Sequence, residues 1–283
     1  MEVLTIPLQE SLIYMLAVYG IYIMFKTLKF PDISVDNVFS LGSIAGAFLL
    51  TNTSSLFLSL SGTFLVGFFT GAFTAILFYC IKIPKLFAGI ITYTILFSIN
   101  LKFFGKPNIS LGNYLTLSDQ ESFGFILIVD IVILGTLLWF LRTILGKNLV
   151  SVGTNPNVLK EFGTSYPLLL IIGMGICGAL ISVSGFLTSL YFKFSDISLG
   201  IGVLINSVAA IILSQFIVST YKLKYEKLCV LIGVFLYNFI LYFVISYMSF
   251  GLFDHTDYKL ISGIVITLFF VFNKKSVKEI VTF

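Results

Sequence analysis

Long apolar runs follow one another along nearly the whole chain, and they constrain its fold more than any other feature. About 20 apolar residues suffice for one helical membrane span. Only 11% of the 283 residues are charged and 58% are hydrophobic, whereas a soluble domain carries about 25% charged residues. The runs therefore predict an all-α, polytopic helical membrane protein and exclude a soluble domain. They lie near residues 8–25, 38–50, 58–81, 86–101, 124–145, 166–192, 201–219, 228–250 and 260–272.

Two of these runs, 38–50 and 260–272, are short for a full span and predict half-membrane or re-entrant helices. We therefore expect about 8–10 membrane segments in a single domain over residues 1–283. A transmembrane β-barrel would alternate apolar and polar residues in segments of about 10. The run at 228–250 is apolar almost all round, which excludes the barrel.

Basic residues are unevenly divided when the joints between runs are placed alternately on two sides of a membrane. One side holds 13 of them and the other holds 4. The first set is Lys26, Lys29, Lys82, Lys85, Arg142, Lys147, Lys160, Lys222, Lys224, Lys227, Lys274, Lys275 and Lys278, and the second is Lys102, Lys106, Lys193 and Lys259. Cytoplasmic loops carry the basic excess. This predicts an outside N-terminus and an inside C-terminus, and it explains the net charge of +4 without nucleic acid.

A seven-residue pattern occurs twice. Residues 29–35 (KFPDISV) and 193–199 (KFSDISL) agree at five of seven positions, with a uniform offset of 164 residues. The charge division puts the first copy inside and the second outside, which is typical of an inverted-topology repeat. We expect halves at about 1–120 and 166–283, joined by segment 124–145 and a cytoplasmic loop at 146–165. The alternative is chance agreement in a chain rich in Phe and Ser.

An Asp-x-Ser sequence at the mouth of a short helix is a typical N-terminal cap, because its oxygens accept unpaired backbone N–H groups. Capping alone is one interpretation. The other is that a capped helix start at membrane depth lines a solute path, since intramembrane carboxylates usually face a cavity. The candidate path residues are Asp32, Ser34, Asn37, Asp196, Ser198, Asn206 and Ser207.

The loop after the fifth run contains signals for a two-turn helix. Asn155 suits the N-cap, Pro156 the first helical position, and Gly163 the left-handed position after the last turn. Its apolar residues, Val158, Leu159 and Phe162, fall on one face. A helix this short needs a packing surface. That surface is the protein's own helices, the lipid interface, or a separate cytoplasmic subunit.

Three stretches in this order resemble permease subunits of bacterial ABC importers of the ribose and branched-chain amino-acid class, and within it the tryptophan and tyrosine importer branch. They are residues 30–36 (FPDISVD) with Leu41-Gly42, residues 153–156 (GTNP) to 162–163 (FG), and residues 196–202 (DISLGIG) leading into 209–212 (AAII). The resemblance implies a second permease copy or paralogue, two cytoplasmic ABC ATPase subunits and an extracytoplasmic solute-binding protein. It also implies that the loop helix couples to the ATPase. The coupling residues that the resemblance implies are Gly153, Asn155, Pro156, Leu159, Phe162 and Gly163, and Val158 is added because it shares the apolar face.

The sequence lacks a G-x-x-x-x-G-K-[ST] loop, so energy must come from another subunit or from an ion gradient. We expect no cofactor in this chain, with ATP and Mg on the partner ATPase. His255 lies between Asp254 and Asp257, but one solvated His between acids does not predict a metal site. Asp130, inside the fifth run, is a candidate for ion coupling.

These observations predict the transmembrane permease subunit of an ATP-driven importer in the bacterial cytoplasmic (inner) membrane. It would carry a small solute, with an aromatic amino acid favoured by the resemblance, and would not itself be an enzyme. Two alternatives stay open. One is a secondary transporter with the same repeat, driven by an ion, and the other is a membrane assembly protein with no solute flux.

Overall fold

The computed structural model describes residues 2–103, 108–112, 119–154, 159, 163–221, 226–248, 262–264 and 267. The helices are α1 (Glu2–Tyr22), α2 (Val35–Thr53), α3 (Leu56–Tyr79), α4 (Lys85–Phe103), α5 (Asp119–Phe140), α6 (Ile144–Thr154), α7 (Tyr166–Phe192), α8 (Val203–Tyr221) and α9 (Glu226–Met248). A π-helical turn, Ile23–Thr27, extends α1, and a 3₁₀ turn, Ile197–Gly200, precedes α8. Two short strands, β1 (Asn108–Ser110) and β2 (Phe194–Asp196), form an antiparallel ladder.

The prediction of a polytopic helical membrane protein is confirmed. Within the described residues, six helices are long and apolar enough to cross a membrane, and Leu228–Val244 is a shorter apolar helix. The first eight predicted runs each overlap mainly with one helix, and α6 is the one of the nine described helices that has no run of its own. The ninth, 260–272, is described only at residues 262–264 and 267, which are helical.

Two predicted boundaries were wrong. The run at 38–50 belongs to a helix of 19 residues, because polar groups at its end stay helical by bonding back to its own carbonyls. Asn52 Nδ2 donates to the Phe48 carbonyl at 2.7 Å and Thr53 Oγ1 to the Leu49 carbonyl at 2.7 Å. The segment 124–145 is broken after Phe140, because the Thr143 hydroxyl accepts from the Gly146 N–H at 3.3 Å and starts α6.

Helix α7 lies at the centre of the molecule, and glycine allows its neighbours to approach it closely. An ideal Cβ on Gly71 of α3 would lie 2.1 Å from the Met174 carbonyl oxygen, and one on Gly42 of α2 would lie 2.0 Å from the Ser182 carbonyl oxygen. Gly178 of α7 meets the Gly67 carbonyl in the same way, at 2.3 Å. Small residues let membrane helices pack backbone to backbone. These glycines therefore serve contacts inside this chain.

Several described joints lie together at one of two ends of the molecule. At one end Lys85 Nζ donates to the Lys29 carbonyl at 2.7 Å, and the Tyr79 and Tyr166 rings lie 6.2 Å apart. We call this the lysine end. The ladder end holds β1 and β2, with Ile109 opposite Ser195. Helix α7 begins at the lysine end and ends at β2, and its 27 residues give a length of about 40 Å.

Candidate translocation site

The two copies of the repeated pattern adopt the same backbone geometry. Lys29 and Lys193, at matched positions, both have left-handed backbones, with φ of 50° and 59°. In the first copy Asp32 Oδ1 accepts from the Ser34 N–H at 2.8 Å. In the second, Asp196 Oδ1 accepts from the Ser198 N–H at 2.6 Å. Agreement in left-handed backbone and in capping bond, at the same offset, argues against chance agreement of the sequences.

The same series of elements surrounds each copy. The first copy follows α1 and leads into α2 and α3, and the second follows α7 and leads into α8 and α9. Each copy thus joins a long helix to the start of a 19-residue helix, since α2 and α8 have equal lengths. The repeated turns are the entry points of α2 and α8.

These two helix starts meet, and Asp36 joins them. Its Oδ1 accepts from the Leu204 N–H at 2.8 Å and its Oδ2 from the Gly202 N–H at 3.0 Å. A carboxylate at a helix N-terminus satisfies unpaired N–H groups and interacts favourably with the helix dipole. Asp36 belongs to the first turn of α2 and therefore caps α8 across 168 residues of sequence.

Two serines extend this contact along α2. Ser40 Oγ donates to the Ile197 carbonyl at 2.7 Å and accepts from the Gly200 N–H at 3.2 Å. One turn further on, the Ser43 and Ser195 hydroxyls share a hydrogen bond of 2.8 Å. From residue 36 to residue 43 of α2, the residue number of the bonded partner decreases from 204 to 195. The second copy therefore lies antiparallel to α2 and is bonded to it along two helical turns.

The predicted path residues of the first copy are buried in helix contacts. Asp32 is 2% exposed and packs against Gly89 of α4. An ideal Cβ on Gly89 would lie 2.6 Å from Asp32 Oδ1. Asn37 Nδ2 donates to the Tyr93 carbonyl at 2.7 Å. Ser34 is 1% exposed and its hydroxyl has no hydrogen-bond partner in the described chain. Asp32 and Asn37 thus hold the start of α2 against α4.

The predicted path residues of the second copy divide into two groups. Asp196 is half-buried and Ser198 is exposed beside the ladder. Asn206 and Ser207 line a small cavity of about 20 Å³ between α1, α8 and α9. Asn206 Oδ1 accepts from the Tyr237 hydroxyl at 2.9 Å. A cavity of this size with polar walls can hold one water molecule. The other lining residues are Tyr14, Val18, Ala210, Val234, Tyr237 and Asn238.

Sequence reasoning missed the residues that join the two copies. Asp36, Ser40 and Ser43 are spaced by four and three residues, which places them on one face of α2. Such a polar stripe in an otherwise apolar helix was a readable signal. The comparison of the copies stopped one residue short of Asp36, and its counterpart at the same offset is Gly200. That glycine admits the Asp36 carbonyl, which an ideal Cβ would meet at 2.0 Å.

Only part of the predicted coupling segment is described. Gly153 lies at the end of α6, where a Cβ would come within 2.1 Å of the Thr27 carbonyl oxygen. Gly163 has φ of 64°, the left-handed conformation predicted for it, and the Thr164 N–H donates to the Leu159 carbonyl at 3.0 Å. Leu159 is fully buried. The remaining coupling residues, Asn155, Pro156, Val158 and Phe162, lie outside the described residues.

Asp130 lies in α5 and is 1% exposed, and neither carboxylate oxygen has a hydrogen-bond partner among the described residues. An unpaired ionised carboxylate in such a place is costly. The group Asp254, His255 and Asp257 lies outside the described residues, so the structure does not test it.

A polytopic helical chain in which two copies of one capped turn meet at paired helix starts has the construction of a membrane transport permease. A family described as the permease component of branched-chain amino acid transport systems matches residues 5–273. The chain belongs to this family.

Two curated proteins are similar over nearly the full length. A protein of Clostridioides difficile (strain R20291) named "Tyrosine transport system permease protein" is 36% identical over 262 residues, covering 92% of this chain and 88% of that protein. A protein of Rickettsia prowazekii (strain Madrid E) named "Uncharacterized protein RP368" is 28% identical over 274 residues. The match covers 94% of this chain and 96% of that protein. No solved structure matches this chain.

Proposed function

We propose that this permease is the membrane subunit of an ATP-driven importer for a small solute, an amino acid, with an aromatic amino acid favoured. Membership of the permease family and the relative named for tyrosine transport support this solute class. The observation that carries the proposal is the junction at Asp36, where the entry turns of two repeated halves are bonded to each other. Movement of one half against the other must pass through that contact.

The proposed halves are inverted relative to the membrane, at about 1–120 and 166–283, as in other transporters with paired half-helices. The sorting of joints into a lysine end and a ladder end supports this arrangement. By the positive-inside rule the lysine end is cytoplasmic, which places the N-terminus outside and the C-terminus inside the bacterial inner membrane. The solute path then runs past the junction, with Asn206, Ser207 and the cavity beside them as its polar lining.

We propose that ATPase movement reaches the junction through α6. At the lysine end Gly153 of α6 packs closely against the Thr27 carbonyl, two residues before the first copy of the repeated turn. The same turn leads through Asp32 into α2 and so to Asp36. Because Leu159 is buried, its role in this scheme is to anchor the segment to the protein, while exposed parts of the loop meet the partner. ATP and Mg belong to that partner.

The remaining proposed partners are a second permease copy or paralogue and an extracytoplasmic solute-binding protein. Their test is reconstitution. The permease is placed in vesicles with its ATPase and binding protein, and uptake of labelled tyrosine is measured with and without ATP. Uptake that requires ATP and is competed by phenylalanine more strongly than by leucine or ribose supports the proposal. Tyrosine uptake by the permease alone under an ion gradient contradicts it.

That last outcome would favour the second candidate function, an ion-coupled secondary transporter. The observation in its favour is Asp130, a buried carboxyl group with no hydrogen-bond partner in the described chain. Such a group in a membrane helix can bind and release a proton or pair with a cation. Gradient-driven uptake lost on the change Asp130→Asn would identify this function.

A further inference from the structure

Two joints that together carry three lysines meet at the lysine end. Lys85, the first residue of α4, donates from Nζ to the Lys29 carbonyl at 2.7 Å, which brings the α3–α4 joint onto the α1–α2 joint. Lys82 lies three residues before Lys85 in the same joint. Lys29 and Lys82 both have left-handed backbones, with φ of 50° and 61°. We call Lys29, Lys82 and Lys85 the lysine cluster.

Among the described residues, the cluster carries positive charge without a neutralising acid. The Lys29 charge acts unfavourably on the Lys85 ammonium. In the described part of the chain, none of the three lysines forms a salt bridge with a carboxylate. Lys85 is partly withdrawn from water, because its Nζ lies 5.8 Å from the ring centroids of both Phe30 and Phe78. Cations held together in this way are stabilised by an added anion.

The surface beside the cluster is apolar and exposed. Ile81 is 60% exposed and Phe87 is 59% exposed, one on each side of the joint. Tyr79 and Leu86 are 44% and 46% exposed. These side chains border the ends of α3 and α4, two helices long and apolar enough to cross a membrane. A molecule bound at the lysine cluster would therefore contact positive charge and an apolar surface at the same time.

We propose that the lysine cluster binds the phosphate group of an anionic phospholipid, whose acyl chains lie along the exposed ends of α3 and α4. Basic pockets between membrane helices recognise such headgroups through the charge of the phosphate. Free phosphate shares that chemistry, but it makes no use of the apolar border. The proposal concerns the lipid around the permease and does not depend on the solute or on the energy source.

The simpler interpretation is that each lysine extends independently to the aqueous interface. A paired set of variants separates the two. The double variant Lys29→Gln with Lys85→Gln removes two charges from the cluster. The matched control, Lys102→Gln with Lys193→Gln, removes two charges elsewhere, at the far end of α4 and at the repeat counterpart of Lys29. A third variant, Lys85→Arg, keeps the charge.

Cardiolipin is titrated into each purified full-length variant in a phosphatidylcholine background, and bound lipid is counted by native mass spectrometry. Each lysine–phosphate interaction is worth about 1 kcal/mol, which is about fivefold in affinity. The cluster variant should therefore bind cardiolipin at least about tenfold more weakly than wild type. The control and Lys85→Arg should bind as wild type does. Inorganic phosphate should give no thermal stabilisation.

Three results overturn the proposal. The first is equal binding by the cluster variant and wild type. The second is an equal loss in the cluster variant and the control, since that shows an effect of net charge alone. The third is stabilisation by inorganic phosphate as large as that by cardiolipin, which identifies a phosphate site. If the cluster variant does not fold, the Lys85→Arg variant is the remaining test. Cardiolipin binding by the folded Lys85→Arg variant that is weaker than wild type also counts against the site, because this variant keeps the charge.

Discussion

The Asp36 carboxylate lies 2.8 Å from the Leu204 N–H, so the first turn of α2 caps the first turn of α8. Hydrogen bonds to an ionised acceptor are stronger than neutral ones, and losing them leaves the N–H groups of a buried helix start unpaired. The helix start that follows the second copy is thus held by a residue beside the first.

We expect Asp36→Ala to destabilise the protein by about 2–4 kcal/mol, because two charge-assisted bonds are lost together. Asp196→Ala removes a cap confined to its own turn and should cost about 1 kcal/mol. Both are measured by thermal unfolding with a thiol-reactive dye in a Cys80→Ser background. Cys177 and Cys229 are buried and react only on unfolding, whereas Cys80 is exposed. Equal midpoints for the two variants would show that Asp36 has no special role.

A methyl group at Gly71 should break the contact between α3 and α7. The new Cβ would lie 2.1 Å from the Met174 carbonyl oxygen, and backbone cannot yield as a flexible side chain does. Overpacking of this kind costs about 1–3 kcal/mol. The matched control is Gly135→Ala in α5, where a Cβ meets nothing within 4 Å. Thermal unfolding should place Gly71→Ala below wild type and Gly135→Ala at or above it. The reverse order would contradict the packing described for α7.

Asp130→Asn should stabilise the folded protein or leave it unchanged. The substitution removes a buried carboxylate with no partner among the described residues, and an unpaired buried charge is costly. If ATP drives uptake, the variant should retain the wild-type uptake rate in the reconstituted system. A stable variant with abolished ATP-driven uptake would contradict this prediction and show that Asp130 takes part in transport.

Tyr237→Phe removes the hydroxyl that donates to Asn206 at 2.9 Å and leaves the Asn206 oxygen free in the cavity. A solute path through this cavity predicts a change in the KM for uptake with little change in the unfolding midpoint. Asn37→Ala is the control, because Asn37 bonds to the Tyr93 carbonyl and serves packing. It should lower the midpoint and leave KM unchanged. A Tyr237→Phe variant with unaltered KM would place the path elsewhere.

The helical class and the repeated turn were predictable because they depend on local composition and local sequence, which can be read directly. The Asx turns at Asp32 and Asp196 were predictable for the same reason. What could not be predicted was which distant groups meet. The Asp36 contact needs α2 and the second copy to lie side by side, and that follows from packing around α7. The burial of Leu159 likewise depends on tertiary contacts that a helical pattern does not specify.

The end of α2 was placed too early because hydropathy alone ends a segment at its first polar residues. Asn52 and Thr53 remain helical because their side chains return hydrogen bonds to carbonyls one turn back. The break before α6 was missed for a related reason. The residues on both sides of it are apolar, and only the Thr143 hydroxyl marks the new helix start.

The β1–β2 ladder has a consequence for how force enters the molecule. Ile109 is paired with Ser195, and the Ser195 hydroxyl is bonded to Ser43 deep in α2. From the ladder, the Ser43–Ser195 bond is the first of the side-chain contacts with α2, and the Ser40 and Asp36 contacts follow towards the start of that helix. If the ladder is displaced, we expect these contacts to separate in that order, from Ser43 to Ser40 to Asp36.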